Sequence, residues 1–113
     1  MVSGFLGTVN YLAPEMYLNK EYNAMAVDIF ALGVLLFAIT NGCFPFRSTY
    51  ILNSKDSEQY IMMKEGNSAS YWSFVESNGI FVAQNFKILF EQMFAFVPSM
   101  RPTIQDVLLF ALT

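Results

Sequence analysis

Apolar residues along this 113-residue chain are grouped by spacing, and the spacing is helical throughout. From about Met25 to Thr40 they fall on every face, the pattern of a helix enclosed by other elements. Phe86, Leu89, Phe90, Met93, Phe94 and Val97 recur at three- and four-residue steps, which predicts one continuous stripe on a second long helix ended by Pro98. Between these lie shorter pieces. Pro14 suits a first helical position and Glu15 the first turn, so a short helix should run to about Leu18 before Asn19 to Asn23 breaks it. Cys43 to Asp56, with Pro45 and Asn53, reads as a long surface connection. A further helix should start near Asp56, where Gln59 completes a capping-box-like pair, and end by Gly66. Residues 67–80 read as irregular around Tyr71, Trp72 and Phe74. Thr103 with Asp106 resembles a capped start for a final helix carrying Val107, Leu108 and Leu109. Residues 1–13, rich in Gly, Ser and Thr, read as a loop, and no segment alternates with a two-residue period. The expected fold is all-α with long loops, without an internal repeat.

Composition sharpens this picture. The hydrophobic share is 55% and the charged share 13%, against an ordinary charged quarter, and mean hydropathy is +0.41. Such a chain either enters a membrane or is the interior-rich part of a larger body. The uninterrupted apolar run from Ile29 to Ile39 holds roughly 11 residues where a span needs about 20, so no membrane segment is expected. The N-terminus lacks the layout of a secretory signal, which makes a cytoplasmic or nuclear location the default. A net charge of -3 with six scattered basic residues leaves no footprint for nucleic acid. One cysteine, Cys43, and no histidine exclude an internal disulfide and a zinc set.

Three motifs carry a resemblance. Gly7-Thr8-Val9-Asn10-Tyr11-Leu12-Ala13-Pro14-Glu15 resembles the GTxxYxAPE stretch that closes the activation segment of protein kinases. Asp28-Ile29-Phe30-Ala31-Leu32-Gly33 is similar to the DxWSxG opening of the central helix of the kinase C-lobe. It is followed in register by Thr40-Asn41-Gly42-Cys43-Phe44-Pro45-Phe46, like TGxxPF. Pro98-Ser99-Met100-Arg101-Pro102-Thr103 is similar to DPxxRPT before the last helix. In this order and at these separations they cover nearly the whole chain, which resembles the C-terminal lobe of a eukaryotic-type serine/threonine protein kinase. Residues 1–113 would then be a partial kinase domain, the end of the activation segment plus the helical part of the two-lobed fold.

The resemblance implies roles residue by residue. Thr8, Tyr11 and Leu12 would belong to the substrate-positioning loop, with the Thr8 hydroxyl beside the phosphoacceptor; tyrosine kinases usually carry proline there, which favours serine/threonine specificity. A local turn bond is the plainer reading of Thr8. Glu15 and Arg101 would form a buried ion pair, for which the planar guanidinium fork is suited; the plainer reading is a helix-capping Glu15 and a solvated Arg101. Asp28 would accept bonds from catalytic-loop amides, or simply cap its helix. Gly33 would permit close helix packing. Tyr71, Trp72 and Phe74 read as packing under a loop, with a docking surface as the alternative, and Ser3 lies near the usual activating phosphosite.

Departures from the pattern are Val97 for aspartate, Phe30 for tryptophan, Ala31 for serine, and Phe110-Ala111-Leu112 for His-Pro-Trp. The Gly-rich loop, the strand lysine, the HRD loop and the DFG aspartate are not in the chain. The expectation is therefore a fragment of an ATP-dependent serine/threonine kinase. ATP and Mg would serve the complete domain, no cofactor would serve this chain alone, and the partner would be a Ser/Thr protein substrate. The alternative is a short kinase-like module that binds or docks without catalysis.

Overall fold

A computed structural model describes residues 12–18, 21–49 and 57–112. Its helices are α1 (Glu15–Leu18), α2 (Ala24–Asn41), α3 (Glu58–Lys64), α4 (Ser68–Ser77), α5 (Gln84–Met93) and α6 (Ile104–Leu112), with a single 3₁₀ turn at Pro98–Met100. No strand occurs among the described residues. The all-α expectation holds.

Helix α2 is the axis. Its start is set by Asn23, whose Oδ1 accepts from the Ala26 N–H at 3.0 Å, and not by Asp28, which lies inside the helix and is exposed. Such an N-cap contributes about 1 kcal/mol. Its end is set by Gly42, whose φ of 78° reverses the chain while its N–H still reaches the Ala38 carbonyl at 2.9 Å. One face buries Val27, Phe30, Val34 and Phe37, but Met25, Leu35 and Ile39 are exposed, so the expected enclosure on all sides is only half realised. By length and composition α2 could cross a membrane. The run from Ile29 to Ile39 understates it, because only Asp28 separates that run from Met25 to Val27. A soluble core helix meets the same description, and the Phe30 face of α2 is buried in the apolar core.

Two apolar clusters fill the space around α2. The larger centres on Phe46, whose ring meets Tyr60 and Phe94 edge-on at 5.0 Å each and Tyr71 at 5.5 Å. Phe30, Phe37, Trp72 and Phe90 complete it. The smaller joins Ile29, Leu89, Met93 and Val107, which docks α6 across α2 and α5. Close approach of α2 and α5 needs Gly33, where a Cβ would stand 2.8 Å from Phe94 Cε1.

Two expectations are corrected here. Residues 67–80 are not irregular, since 68–77 form α4, which buries Tyr71, Trp72 and Val75. Trp72 Nε1 donates to Glu91 at 2.8 Å and Lys87 pairs with Glu76 at 2.8 Å, both linking α4 to α5. Tyr71 and Trp72 are packed as expected, while Phe74 is exposed. Helix α5 stops at Met93, four residues earlier than the stripe implies, and Val97 is exposed. Side chains from elsewhere satisfy the carbonyls just past that end: Tyr60 donates to Phe94 O at 3.0 Å and Arg101 Nε to Ala95 O at 2.9 Å. The early stop exchanges helical bonds for these tertiary ones. The reciprocal cap of α6 forms as expected, each of Thr103 N–H and Asp106 N–H meeting the other's side chain at 3.2 Å. The start expected near Asp56 lies outside the described residues; α3 begins at Glu58 without a side-chain cap.

Candidate functional site

Residues 12–18 form a short segment tied to the helical body by polar contacts that include a buried ion pair. Glu15 is buried in the first turn of α1. Arg101 reaches it from the extended stretch after the 3₁₀ turn, Nη1 donating to Oε2 at 2.6 Å and Nη2 to Oε1 at 2.8 Å. These two residues lie 86 positions apart in the chain. The same guanidinium donates from Nη1 to Ala26 O at 3.0 Å and from Nε to Ala95 O, and its Cζ lies 5.0 Å from the Phe30 ring centre. One side chain thus joins α1, the first turn of α2 and the end of α5. The fork geometry is what lysine could not reproduce.

A second attachment was not foreseen from the sequence. Thr49, fully buried in the connection after α2, donates from Oγ1 to the Leu12 carbonyl at 2.7 Å. Next to it the Ser48 side chain hydrogen-bonds Tyr17 of α1, whose phenol burial pushes up from its ordinary range and the Ser48 bond pulls back in part. In the sequence Ser48 and Thr49 are two polar residues in a loop-like stretch, and nothing in their spacing relates them to Leu12 or Tyr17.

The structure therefore brings together Leu12, Glu15 and Arg101. Gly33 sits in the contact of α2 with Met93 and Phe94. Asp28 is exposed along a groove of about 870 Å³ between α2 and the Pro98–Gln105 stretch, which Arg101 also lines, beside Met25, Ile29, Leu32 and Ile104. Thr8 and Tyr11, with Ser3, Gly4 and Gly7, lie outside the described residues. Among the described residues no group of His, Cys, Asp and Glu side chains could hold a metal ion.

Comparison with known proteins gives this arrangement its class. Residues 2–110 match the model of the protein kinase domain, and the chain belongs to the protein kinase family. It is 32% identical over 108 residues, 96% of its own length, to serine/threonine-protein kinase kin-29 of Caenorhabditis elegans, and to the same degree to kin-29 of Caenorhabditis briggsae. To serine/threonine-protein kinase D2 of Rattus norvegicus it is 34% identical over 80 residues, 71% of this chain. The chain spans 12% of the length of either kin-29 protein and 9% of kinase D2.

Proposed function

We propose that this chain is the activation-segment end and helical C-lobe of a serine/threonine protein kinase, with residues 8–15 facing the protein substrate. The observation that carries the reading is the buried two-bond pair of Glu15 and Arg101, which holds the segment containing Leu12 at a fixed place on the helices. Positioning is the larger part of phosphoryl transfer, because the protein does little covalent chemistry there. Thr8, Tyr11 and Leu12 would shape the pocket that receives the Ser/Thr residue. Specificity for hydroxyl side chains of Ser and Thr accords with the relatives, which are serine/threonine kinases by name.

The groups that hold ATP and Mg, and that orient the phosphates, belong to motifs outside this sequence. Bound there, ATP supplies the transferable phosphoryl group. The part proposed for these 113 residues is to hold the acceptor side. The test compares the 113-residue chain with the full-length gene product. Calorimetry on the chain should show no Mg-ATP site, and the full-length product should phosphorylate a Ser/Thr peptide library. A stoichiometric ATP site on the chain would overturn the division of labour. A full-length product with no transferase activity would favour a module that docks without catalysis.

A further inference from the structure

The connection that follows α2 is held at two places by side chains that have no helical bond to make. At its near end, the buried Tyr71 hydroxyl of α4 donates to the Pro45 carbonyl at 2.9 Å. Phe46, the next residue, is 3% exposed and wedged between the rings of Tyr60, Phe94 and Tyr71. At its far end, Thr49 donates to Leu12 O at 2.7 Å, and Ser48 bonds Tyr17. Residues 45–49 therefore form a short strut with α4 on one side and the segment 12–17 on the other. The strut is held because Phe46 is packed among aromatic rings and both ends are fixed by hydrogen bonds.

From this juxtaposition we infer that Thr49 is a positioning residue for the substrate-facing segment, and that α4 sets the strut on which Thr49 stands. The inference rests on the proposed function for what the segment faces, but the coupling itself does not. Thr49 touches the segment through one backbone carbonyl, at the residue that follows Tyr11 and precedes Ala13-Pro14-Glu15. Glu15 and Arg101 fix the segment at its α1 end; Thr49 fixes it three residues nearer the substrate. Without the hydroxyl, Leu12 O loses the Thr49 bond, and the segment keeps the Glu15 anchor, the Tyr17 bond and the burial of Ala13 and Pro14. Serine can make the same bond. Valine fills the same space and cannot.

The coupling is read by amide hydrogen exchange on the full-length gene product. The reporters are Met16 and Tyr17, whose N–H groups bond to Ala13 O and Pro14 O at 3.1 Å each. Thr49→Val should speed their exchange about tenfold, the factor that loss of one net hydrogen bond gives, while Val34 of α2 and Phe90 of α5 keep their rates. Thr49→Ser should restore protection. Tyr71→Phe should speed the same two amides, and combined with Thr49→Val it should add less than its separate effect, as expected for two bonds on one strut. In peptide kinetics Thr49→Val should raise KM with little change in kcat, and Thr49→Ser should return KM to its starting value. Unchanged Met16 and Tyr17 rates, equal acceleration at Val34 and Phe90, or strictly additive effects of the two substitutions would overturn the inference. If the full-length product transfers no phosphoryl group, the proposed function fails, and the exchange rates alone decide whether Thr49 positions the segment.

Discussion

Glu15→Gln is the substitution whose cost the structure defines best. Both partners are almost wholly removed from water, with side-chain exposure of 1% for Arg101 and 4% for Glu15. The carboxylate receives two guanidinium bonds, at 2.6 and 2.8 Å. Glutamine occupies the same volume, keeps one acceptor and points an N–H₂ group at a cation that offers only donors. The guanidinium then stays buried with its charge unbalanced, held by the neutral carbonyls of Ala26 and Ala95 and the Phe30 ring. Breaking one side of such a pair costs about 3–5 kcal/mol, a large part of the 5–15 kcal/mol typical of a domain. Arg101→Met should cost more still, since it also leaves the Ala26 and Ala95 carbonyls short of a donor, each worth about 1–3 kcal/mol if buried. The double substitution should cost less than the sum, because the stranded charge of either single variant is gone. Urea unfolding of the full-length gene product, with exposed Glu21→Gln as control, measures all three. A Glu15→Gln midpoint equal to that of the control, or a double variant equal to the sum, would refute the reasoning.

Gly33→Ala places a methyl 2.8 Å from Phe94 Cε1. That ring is stacked on Phe90 and abuts Phe46, so it cannot retreat; the expected loss is about 1–3 kcal/mol in the same unfolding assay, and an unshifted midpoint would show that α2 and α5 are less tightly apposed. Burial raises the phenol pKa of both Tyr60 and Tyr71 above the ordinary 10.0, the Arg101 charge opposing this at Tyr60 and Cys43 adding to it at Tyr71. The unfolded chain then gives up these protons first, so stability intact below pH 10 should fall above it by up to about 1.4 kcal/mol per pH unit for each phenol. Tyr60→Phe with Tyr71→Phe should flatten that decline, and an equally steep fall in the double variant would assign it to other groups. The isolated 113-residue chain should bind a hydrophobic dye and associate with rising concentration, because Met25, Ile39, Leu108 and Leu109 are each more than half exposed. A sharp monomer peak without dye binding would contradict this.

What could be read in the sequence follows the range of each interaction. Helix α2 and the α6 cap are local, written in residues three or four apart, and they form where the pattern puts them. Asn23 was available as a cap signal and lost to Asp28, which stands nearer the apolar run yet faces solvent. The α4 helix was hidden by its serines; its signal was the pair Tyr71 and Val75, one turn apart on the buried face beside Trp72. Helix α5 ends early for reasons no local pattern contains, since Tyr60 and Arg101 take the carbonyls beyond it. Glu15 and Arg101 became visible as partners only through family resemblance, and Thr49 with Leu12 was visible by no route.

Stability and positioning are thus carried by different residues. The aromatic cluster around Phe46 and the apolar contacts of α2 supply the burial that holds the domain together, at roughly 25 cal/mol per Å² removed from water. Residues 12–18 share in it through Ala13 and Met16. The ion pair adds little on balance, because the cost of desolvating two charges consumes most of their attraction. It does discriminate, however: only one placement of α1 gives Arg101 its carboxylate, and every other placement leaves a buried charge unmet. The Thr49 bond discriminates in the same way on a smaller scale, by leaving Leu12 O unmet in any other register. If the segment holds an acceptor peptide, as proposed, it needs this second kind of residue more than another apolar contact. Substitutions in the smaller cluster away from the strut, at Leu89 or Val107, should therefore lower the unfolding midpoint with peptide KM little changed while the domain stays folded, whereas Thr49→Val should move KM well before it moves the midpoint.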